Sequence, residues 1–168
     1  MSAIRCFMMG YHDCPDHYFN YLMSPLMTLT GLHNVTEFYV GRRGNFDRLA
    51  AQAVQLLKRN HPEIRLILLE PYLRRGFILP EGFDDVCIPP DARSDRYAIV
   101  RMNRHMADTV EYMLTCADGR GTNTDRLLQY VRPRVFSGDL QVYNILRLVH
   151  RFESKLTDSP DDGIIEPS

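Results

Sequence analysis

A segment rich in glycine and arginine carries the clearest sign of ligand-binding chemistry. It reads Gly41-Arg-Arg-Gly-Asn-Phe-Asp47 and precedes a run of apolar residues at helical spacing. Gly41 and Gly44 allow a tight turn and a close approach of the backbone to a ligand. Asn45 is a suitable N-cap, and Arg43 could contact a phosphate at the positive end of the helix. The alternative is an ordinary strand-to-helix turn with solvated arginines.

A second segment, Asp118-Gly-Arg-Gly-Thr-Asn-Thr-Asp125, repeats this design. Gly119 and Gly121 free the backbone, and Thr122 can place a hydroxyl at the start of the next helix. An Asp/Gly turn with Thr122 as an ordinary N-cap explains the segment equally well. Two such helix starts at neighbouring strand ends predict ligand binding more strongly than either one alone.

The turn after the first predicted strand supplies a third set of polar groups. Gly10 ends the strand, and His12 could contact a phosphate or exchange a proton near neutral pH. An ordinary hydrogen-bonding role explains a histidine in a turn without any ligand.

Three charged side chains are further candidates for chemistry. Asp125 and Asp47 lie in the first turns of predicted helices, where capping alone would explain a carboxylate. If they face the ligand, either could stabilise positive charge on a ribose or position a water. Arg104 could hold an anion, and a solvated arginine beside Asp108 is the alternative.

The composition is that of a globular protein, and it argues against nucleic-acid-binding, metal-binding and membrane proteins. The chain has 168 residues, 45% of them hydrophobic, and a net charge of -1, which argues against general nucleic-acid binding. Its four cysteines form no C-x-x-C pair, so we predict no metal site, and we identify no cofactor. A reduced, cytoplasmic location without membrane insertion is expected.

Strands and helices alternate along the sequence. Strands are predicted at residues 4–9, 36–40, 64–69 and 112–116, and helices at 16–30, 46–60, 96–108 and 122–131. Residues 73–95 read as a long loop. Residues 140–146 suit either a fifth strand or the start of a last helix through residue 152.

This alternation predicts an α/β fold: a Rossmann-like three-layer sandwich with a mainly parallel sheet of about five strands. Residues 1–152 would form a single domain, and residues 153–168 an acidic, disordered tail. In such sheets ligands bind outside the carboxyl ends of the strands, where all the segments above would lie.

The motifs resemble the SLOG superfamily, which joins DprA/Smf and Lonely Guy proteins, and within it the YpsA-like branch. Four blocks carry the resemblance: Gly10-Tyr-His-Asp-Cys-Pro15, Tyr39-Val-Gly-Arg-Arg-Gly-Asn-Phe-Asp47, Met102-Asn-Arg-His-Met106 and Asp118-Gly-Arg-Gly-Thr122. His12 stands where the family has arginine, and Asp125 stands where Lonely Guy enzymes have glutamate.

We predict that the chain binds a nucleotide or nucleotide-derived ligand as a sensor or regulatory module. One alternative, implied by the resemblance, is a phosphoribohydrolase that cleaves the N-glycosidic bond of a nucleoside monophosphate, with Asp125 or else Asp47 as the reacting carboxylate. A protein-interaction module without a ligand is the second alternative. Association into a homodimer is a further expectation.

Overall fold

The computed structural model describes residues 2–157 and contains one six-stranded sheet in which all strands run parallel. The strands are β1 (Ile4–Gly10), β2 (Val35–Val40), β3 (Arg65–Leu69), β4 (Asp85–Cys87), β5 (Tyr112–Cys116) and β6 (Gln141–Asn144). Their order across the sheet is β4-β3-β2-β1-β5-β6. The predicted Rossmann-like α/β fold is confirmed, and the count of about five strands becomes six.

The additional strand, β4, lies within the stretch predicted to be a loop. It pairs with β3 at the edge of the sheet, with Ile67 opposite Asp85 and Leu69 opposite Cys87. It has three residues, all partly or fully exposed, and therefore shows no apolar periodicity. Pairing with a neighbouring strand, rather than local sequence, defines it.

Seven helical segments lie between the strands or follow the last one. They are a 3₁₀ helix (Asp16–Tyr21), α1 (Met23–Gly31), α2 (Asn45–Lys58), α3 (Ala98–Thr109), α4 (Asn123–Tyr130), α5 (Arg132–Ser137) and α6 (Ile145–Thr157) within residues 2–157. The first predicted helix is thus divided into a 3₁₀ turn and an α-helix.

The ambiguous segment at residues 140–146 proves to be a strand followed by a helix. Asn144 ends β6, and its Oδ1 accepts a hydrogen bond from the Leu146 N–H at 3.1 Å. Its Nδ2 donates to the Ala117 carbonyl at 2.7 Å. Helix α6 continues to Thr157, so residues 153–157 of the predicted disordered tail are helical. The rest of that tail, 158–168, lies outside the described residues.

Alternating residues of the strands belong to two hydrophobic cores, one on each face of the sheet. Cys6, Met8, Phe38 and Leu114 pack against α1, α2 and α6. On the other face, residues such as Phe7, Tyr39, Ile67 and Met113 pack against α3 and α4. This period-two alternation gives the three-layer arrangement.

Strand β1 occupies the point where the chain changes direction across the sheet. From β1 the strands extend one way to β2, β3 and β4, whereas β5 and β6 lie on its other side. Crevices form at such switch points because the connections on either side diverge.

Candidate functional site

A cleft of about 540 Å³ opens at the switch point, beyond the carboxyl ends of β1, β2 and β5. It is lined by polar groups from three loops and from α3, over an apolar floor. The lining residues are Phe7, Met8, Met9, Gly10, Tyr11, His12, Asp13, Gly41, Arg43, Asp47, Leu69, Ile99, Met102, Asn103, Arg120, Thr122, Asn123, Thr124 and Arg126. The structure therefore brings the three predicted loops together.

The turn after β1 caps the N-terminus of α2. The His12 carbonyl accepts a hydrogen bond from the Asn45 N–H at 2.9 Å, and the Tyr11 carbonyl accepts one from the Phe46 N–H at 3.4 Å. Two of the N–H groups expected to be free for an anion are thus already occupied. The N-cap of α2 is Gly44 rather than Asn45. The Asn45 side chain instead donates to the Cys14 carbonyl and, at 2.8 Å, to Asp16 Oδ1.

Two glycines predicted to approach a ligand are required by packing between these loops. A Cβ at Gly10 would lie 2.5 Å from Cγ of Phe46, and one at Gly44 would lie 2.6 Å from Cα of His12. Both distances are far below van der Waals contact. Gly41 lines the cleft, and a Cβ there would meet Asp47 Oδ2 at 3.1 Å.

The glycines after β5 shape the turn into α4. Gly119 and Gly121 have φ values of 86° and 89°, which side-chain-bearing residues rarely adopt. Neither lines the cleft. Thr122 is the N-cap of α4, as predicted for the turn alternative, and its hydroxyl accepts the Asp125 N–H.

The Asp125 carboxylate is used to hold this turn. It accepts hydrogen bonds from the Thr122 N–H at 2.8 Å, the Thr122 hydroxyl at 2.9 Å and the Gly119 N–H at 2.9 Å. Burial raises the pKa of Asp125, but bonds from Thr122, Tyr11 and Gly119 outweigh that cost and hold it below its usual value. Asp125 is 7% exposed and does not line the cleft. The geometry thus supports a structural carboxylate and not the reacting group that we predicted.

Tyr11, which the sequence did not mark as functional, joins the loops after β1 and β5. Its hydroxyl lies 2.6 Å from Asp118 Oδ1 and 2.9 Å from Asp125 Oδ1. Arg120 stacks on the Tyr11 ring, 4.1 Å from its centroid, and pairs with Asp13 at 3.0 Å. The hydrogen bonds from Arg120 and Tyr11 lower the pKa of Asp118 to about 2. These contacts define one wall of the cleft.

Asp47 is the carboxylate in the cleft with the most unusual proton affinity. Its Oδ2 accepts the Arg43 N–H at 3.0 Å. Burial raises the pKa of Asp47 to about 6, although this N–H and the positive charges of His12 and Arg43 oppose the shift. A carboxyl with this pKa can exchange a proton near neutral pH.

Two arginines in the cleft retain donors for a ligand. Arg43 forms no ion pair or side-chain hydrogen bond within residues 2–157, and Arg126 contacts only Asn123 Oδ1 at 3.2 Å. Arg42 does not line the cleft and pairs with the buried carboxylate of Glu70, with Nη2 2.7 Å from Oε1.

The structure does not bring Arg104 to the cleft. Its guanidinium stacks on the exposed side of Tyr130, 4.8 Å from the ring centroid. One residue along a helix rotates the side chain by about 100°, so the preceding residue, Asn103, faces the cleft instead. Asn103 and Arg104 are adjacent in one motif, and the rotation of α3 against the sheet decides which of them lines the cleft.

Asn103 is the site residue that the sequence reasoning missed. It is 8% exposed and lines the cleft, and its side chain makes no hydrogen bond to another residue in the described part of the chain. The backbone N–H groups of Asn123 and Thr124, at the start of α4, also donate to no described group. The Asn103 amide and these two N–H groups are therefore open to a ligand in the cleft.

Within residues 2–157, no group of three or more His, Cys, Asp or Glu side chains is placed to hold a metal ion. The same residues include no helix that is long and apolar enough to cross a bilayer.

The fold and the cleft define a Rossmann-like α/β protein with a site at the switch point. No family model and no curated protein matches the sequence. Solved structures match its fold. DNA processing protein A from Helicobacter pylori, described by its single-stranded DNA binding mode, aligns with a TM-score of 0.54 and 13% identity over 92% of this chain and 82% of that one.

Two further structures give similar values. The molybdenum cofactor binding protein from Rippkaea orientalis aligns with a TM-score of 0.50 and 13% identity, covering 93% of this chain and 99% of that one. DNA processing protein A (DprA) from Streptococcus pneumoniae aligns with a TM-score of 0.50 and 14% identity, covering 88% of this chain and 61% of that one. These are SLOG-type folds, so the predicted resemblance is confirmed at the level of the fold. The YpsA-like branch stays a prediction.

Proposed function

We propose that the cleft binds a nucleotide or nucleotide-derived ligand and that the protein acts as a sensor or regulatory module. The observation that carries this proposal is that two side chains lining one cleft keep hydrogen-bonding groups for a ligand: the Asn103 amide makes no hydrogen bond within residues 2–157, and the Arg43 guanidinium forms no ion pair there. A ligand in the cleft could hydrogen-bond to the Asn103 amide and pair with the Arg43 guanidinium.

The lining of the cleft combines charged, polar and apolar groups. Arg43, Arg126 and the free N–H groups of Asn123 and Thr124 suit the oxygens of a phosphate. The apolar floor, which includes Ile99, suits the faces of a planar base.

Asp47, which also lines the cleft, suits the hydroxyls of a ribose. The volume of about 540 Å³ lies within the range of small-molecule sites, about 300–1,000 Å³. Phosphate, sugar and base would each meet a group of matching polarity.

Calorimetric titration with AMP, GMP, CMP and UMP tests the proposal. At least one should bind, and Asn103→Leu, which keeps the volume but removes the amide, should weaken binding about tenfold or more. A single-stranded oligodeoxynucleotide belongs in the same panel because one structural neighbour is described by single-stranded DNA binding. Absence of binding by every nucleotide, or equal binding by Asn103→Leu, would contradict the proposal.

A second candidate function, phosphoribohydrolase activity, is favoured by the raised pKa of Asp47. Cleavage of an N-glycosidic bond builds positive charge on the ribose, and a nearby carboxylate stabilises that charge and accepts a proton from water. For this candidate function we assign the role to Asp47 rather than Asp125, because Asp47 lines the cleft and Asp125 does not. Free base released from a nucleoside monophosphate, and lost in Asp47→Asn, would support hydrolysis. Binding without release would leave the sensor function.

A further inference from the structure

Two cysteines lie in contact behind the wall of the cleft. Cys14 and Cys116 have their Sγ atoms 3.9 Å apart, and both side chains are buried. Cys116 ends β5 and lies opposite Gly10 of the adjacent strand β1. The chain then turns back, with the Cys14 N–H donating to the Tyr11 carbonyl at 3.4 Å, and this places Cys14 over Cys116.

The other two cysteines have different surroundings. Cys6 is fully buried in the sheet, and Cys87 is half-buried on the edge strand β4. Neither hydrogen-bonds to a second sulfur within residues 2–157. The chain therefore contains one close pair and two separate thiols, which act as internal controls.

Hydrogen bonding within the pair separates the proton affinities of its members. The bond with Cys116 lowers the pKa of Cys14, although burial and the charges of Asp13 and Asp16 oppose the shift. The same bond, together with burial, raises the pKa of Cys116, against the nearby charge of Arg120. Cys14 is thus the member that loses its proton first, and the thiolate is the nucleophile in thiol chemistry.

We infer that Cys14 and Cys116 form a reversible dithiol–disulfide couple that is oxidised by hydroperoxides. The Cys14 thiolate attacks one peroxide oxygen, the O–O bond breaks, and a sulfenic acid and, after protonation, a water result. The sulfur of Cys116 then attacks the Cys14 sulfur, and its proton leaves with the hydroxyl as a second water. In sum, two thiols and one hydrogen peroxide give one disulfide and two waters, and a thiol reductant reverses the change.

Closing the pair requires the sulfurs to approach from 3.9 Å to about 2.05 Å. The new bond would join the turn after β1 to the end of β5, next to the ion pair of Asp13 with Arg120. It would also connect residues 102 positions apart, which restricts the unfolded chain. Oxidation should therefore fix the spacing of the two loops and raise the melting temperature.

The test treats the reduced, full-length chain with hydrogen peroxide and follows intact mass, peptide mapping and melting temperature. The expected product has lost two hydrogen atoms, contains a peptide that links Cys14 to Cys116, melts several degrees higher and returns to the starting state with dithiothreitol. Alkylation should still label Cys6 and Cys87 in the unfolded, oxidised protein. A different linkage, or free Cys14 and Cys116 after treatment, would overturn the inference.

Substitutions provide an independent readout. Cys14→Ser and Cys116→Ser should each abolish the loss of two hydrogens, whereas Cys87→Ser should retain it. Oxidation to the same disulfide mass in Cys14→Ser would refute the assignment. If either serine variant folds poorly, peptide mapping of the wild-type chain decides the question alone, because it needs no substitution.

Discussion

The Tyr11 hydroxyl lies 2.9 Å from Oδ1 of the Asp125 carboxylate, a contact between residues 114 positions apart in the chain. Tyr11 follows β1, whereas Asp125 lies in the first turn of α4. Their contact links the first loop of the site to the last. It also means that the carboxylate selected by sequence reasoning for catalysis has a full set of partners inside the protein.

Removing this hydroxyl should destabilise the fold. Tyr11→Phe leaves two carboxylates, those of Asp118 and Asp125, without their shared hydroxyl, and we expect the free energy of unfolding to fall by about 1–3 kcal/mol. Urea denaturation measures the change. Tyr21→Phe is the matched control because the Tyr21 hydroxyl makes no hydrogen bond within residues 2–157, and it should change stability by less than about 0.5 kcal/mol. Equal effects of the two variants would argue against the role of Tyr11.

Gly10 should tolerate no side chain while Phe46 is present. In Gly10→Ala the new Cβ would meet the Phe46 ring at 2.5–2.8 Å, and we expect a loss of about 1–3 kcal/mol in urea denaturation. Adding Phe46→Leu should recover part of this loss relative to Phe46→Leu alone. Gly31→Ala, a control with no atom within 4 Å of the added Cβ, should be neutral or stabilising. A strictly additive double variant would refute the proposed clash.

Asp47 should make stability depend on pH between about 4 and 7. Because burial raises its pKa from 3.8 to about 6 in the folded chain, the folded state binds the proton more tightly. Charging Asp47 therefore costs stability as pH rises through its folded-state pKa, and the cost is complete above about pH 7. Asp47→Asn should gain roughly 1–3 kcal/mol relative to wild type on moving from pH 4 to pH 7.5. An unchanged difference between the two proteins across this range would contradict the raised pKa.

Arg43 and Arg104 should differ in their effects on ligand binding, although both are arginines in the motifs singled out from the sequence. Arg43 lines the cleft, whereas Arg104 stacks on Tyr130 outside it. For a nucleotide that binds wild type, Arg43→Gln should raise Kd about tenfold, equivalent to about 1.4 kcal/mol. Arg104→Gln should leave Kd unchanged in the same calorimetric titration. A larger effect at Arg104 would place the anion elsewhere.

The sequence by itself determined the α/β class, four of the six strands and the loops that would form the site, and it left β6 undecided between a strand and a helix. Periods of two and 3.6 residues are local properties, and glycines at strand ends mark turns regardless of what lies across the sheet. The three-residue strand β4 had no such local pattern.

Only the tertiary structure decided which side chains share the cleft. The rotation of α3 brings Asn103 to it instead of Arg104, and the carbonyls of His12 and Tyr11 occupy N–H groups at the start of α2. Likewise, the Asp125 carboxylate is hydrogen-bonded within the protein, whereas Asp47 lines the cleft. Each outcome depends on contacts between segments far apart in the chain, and these are set when helices and loops pack against the sheet. No local pattern in the sequence carries that information.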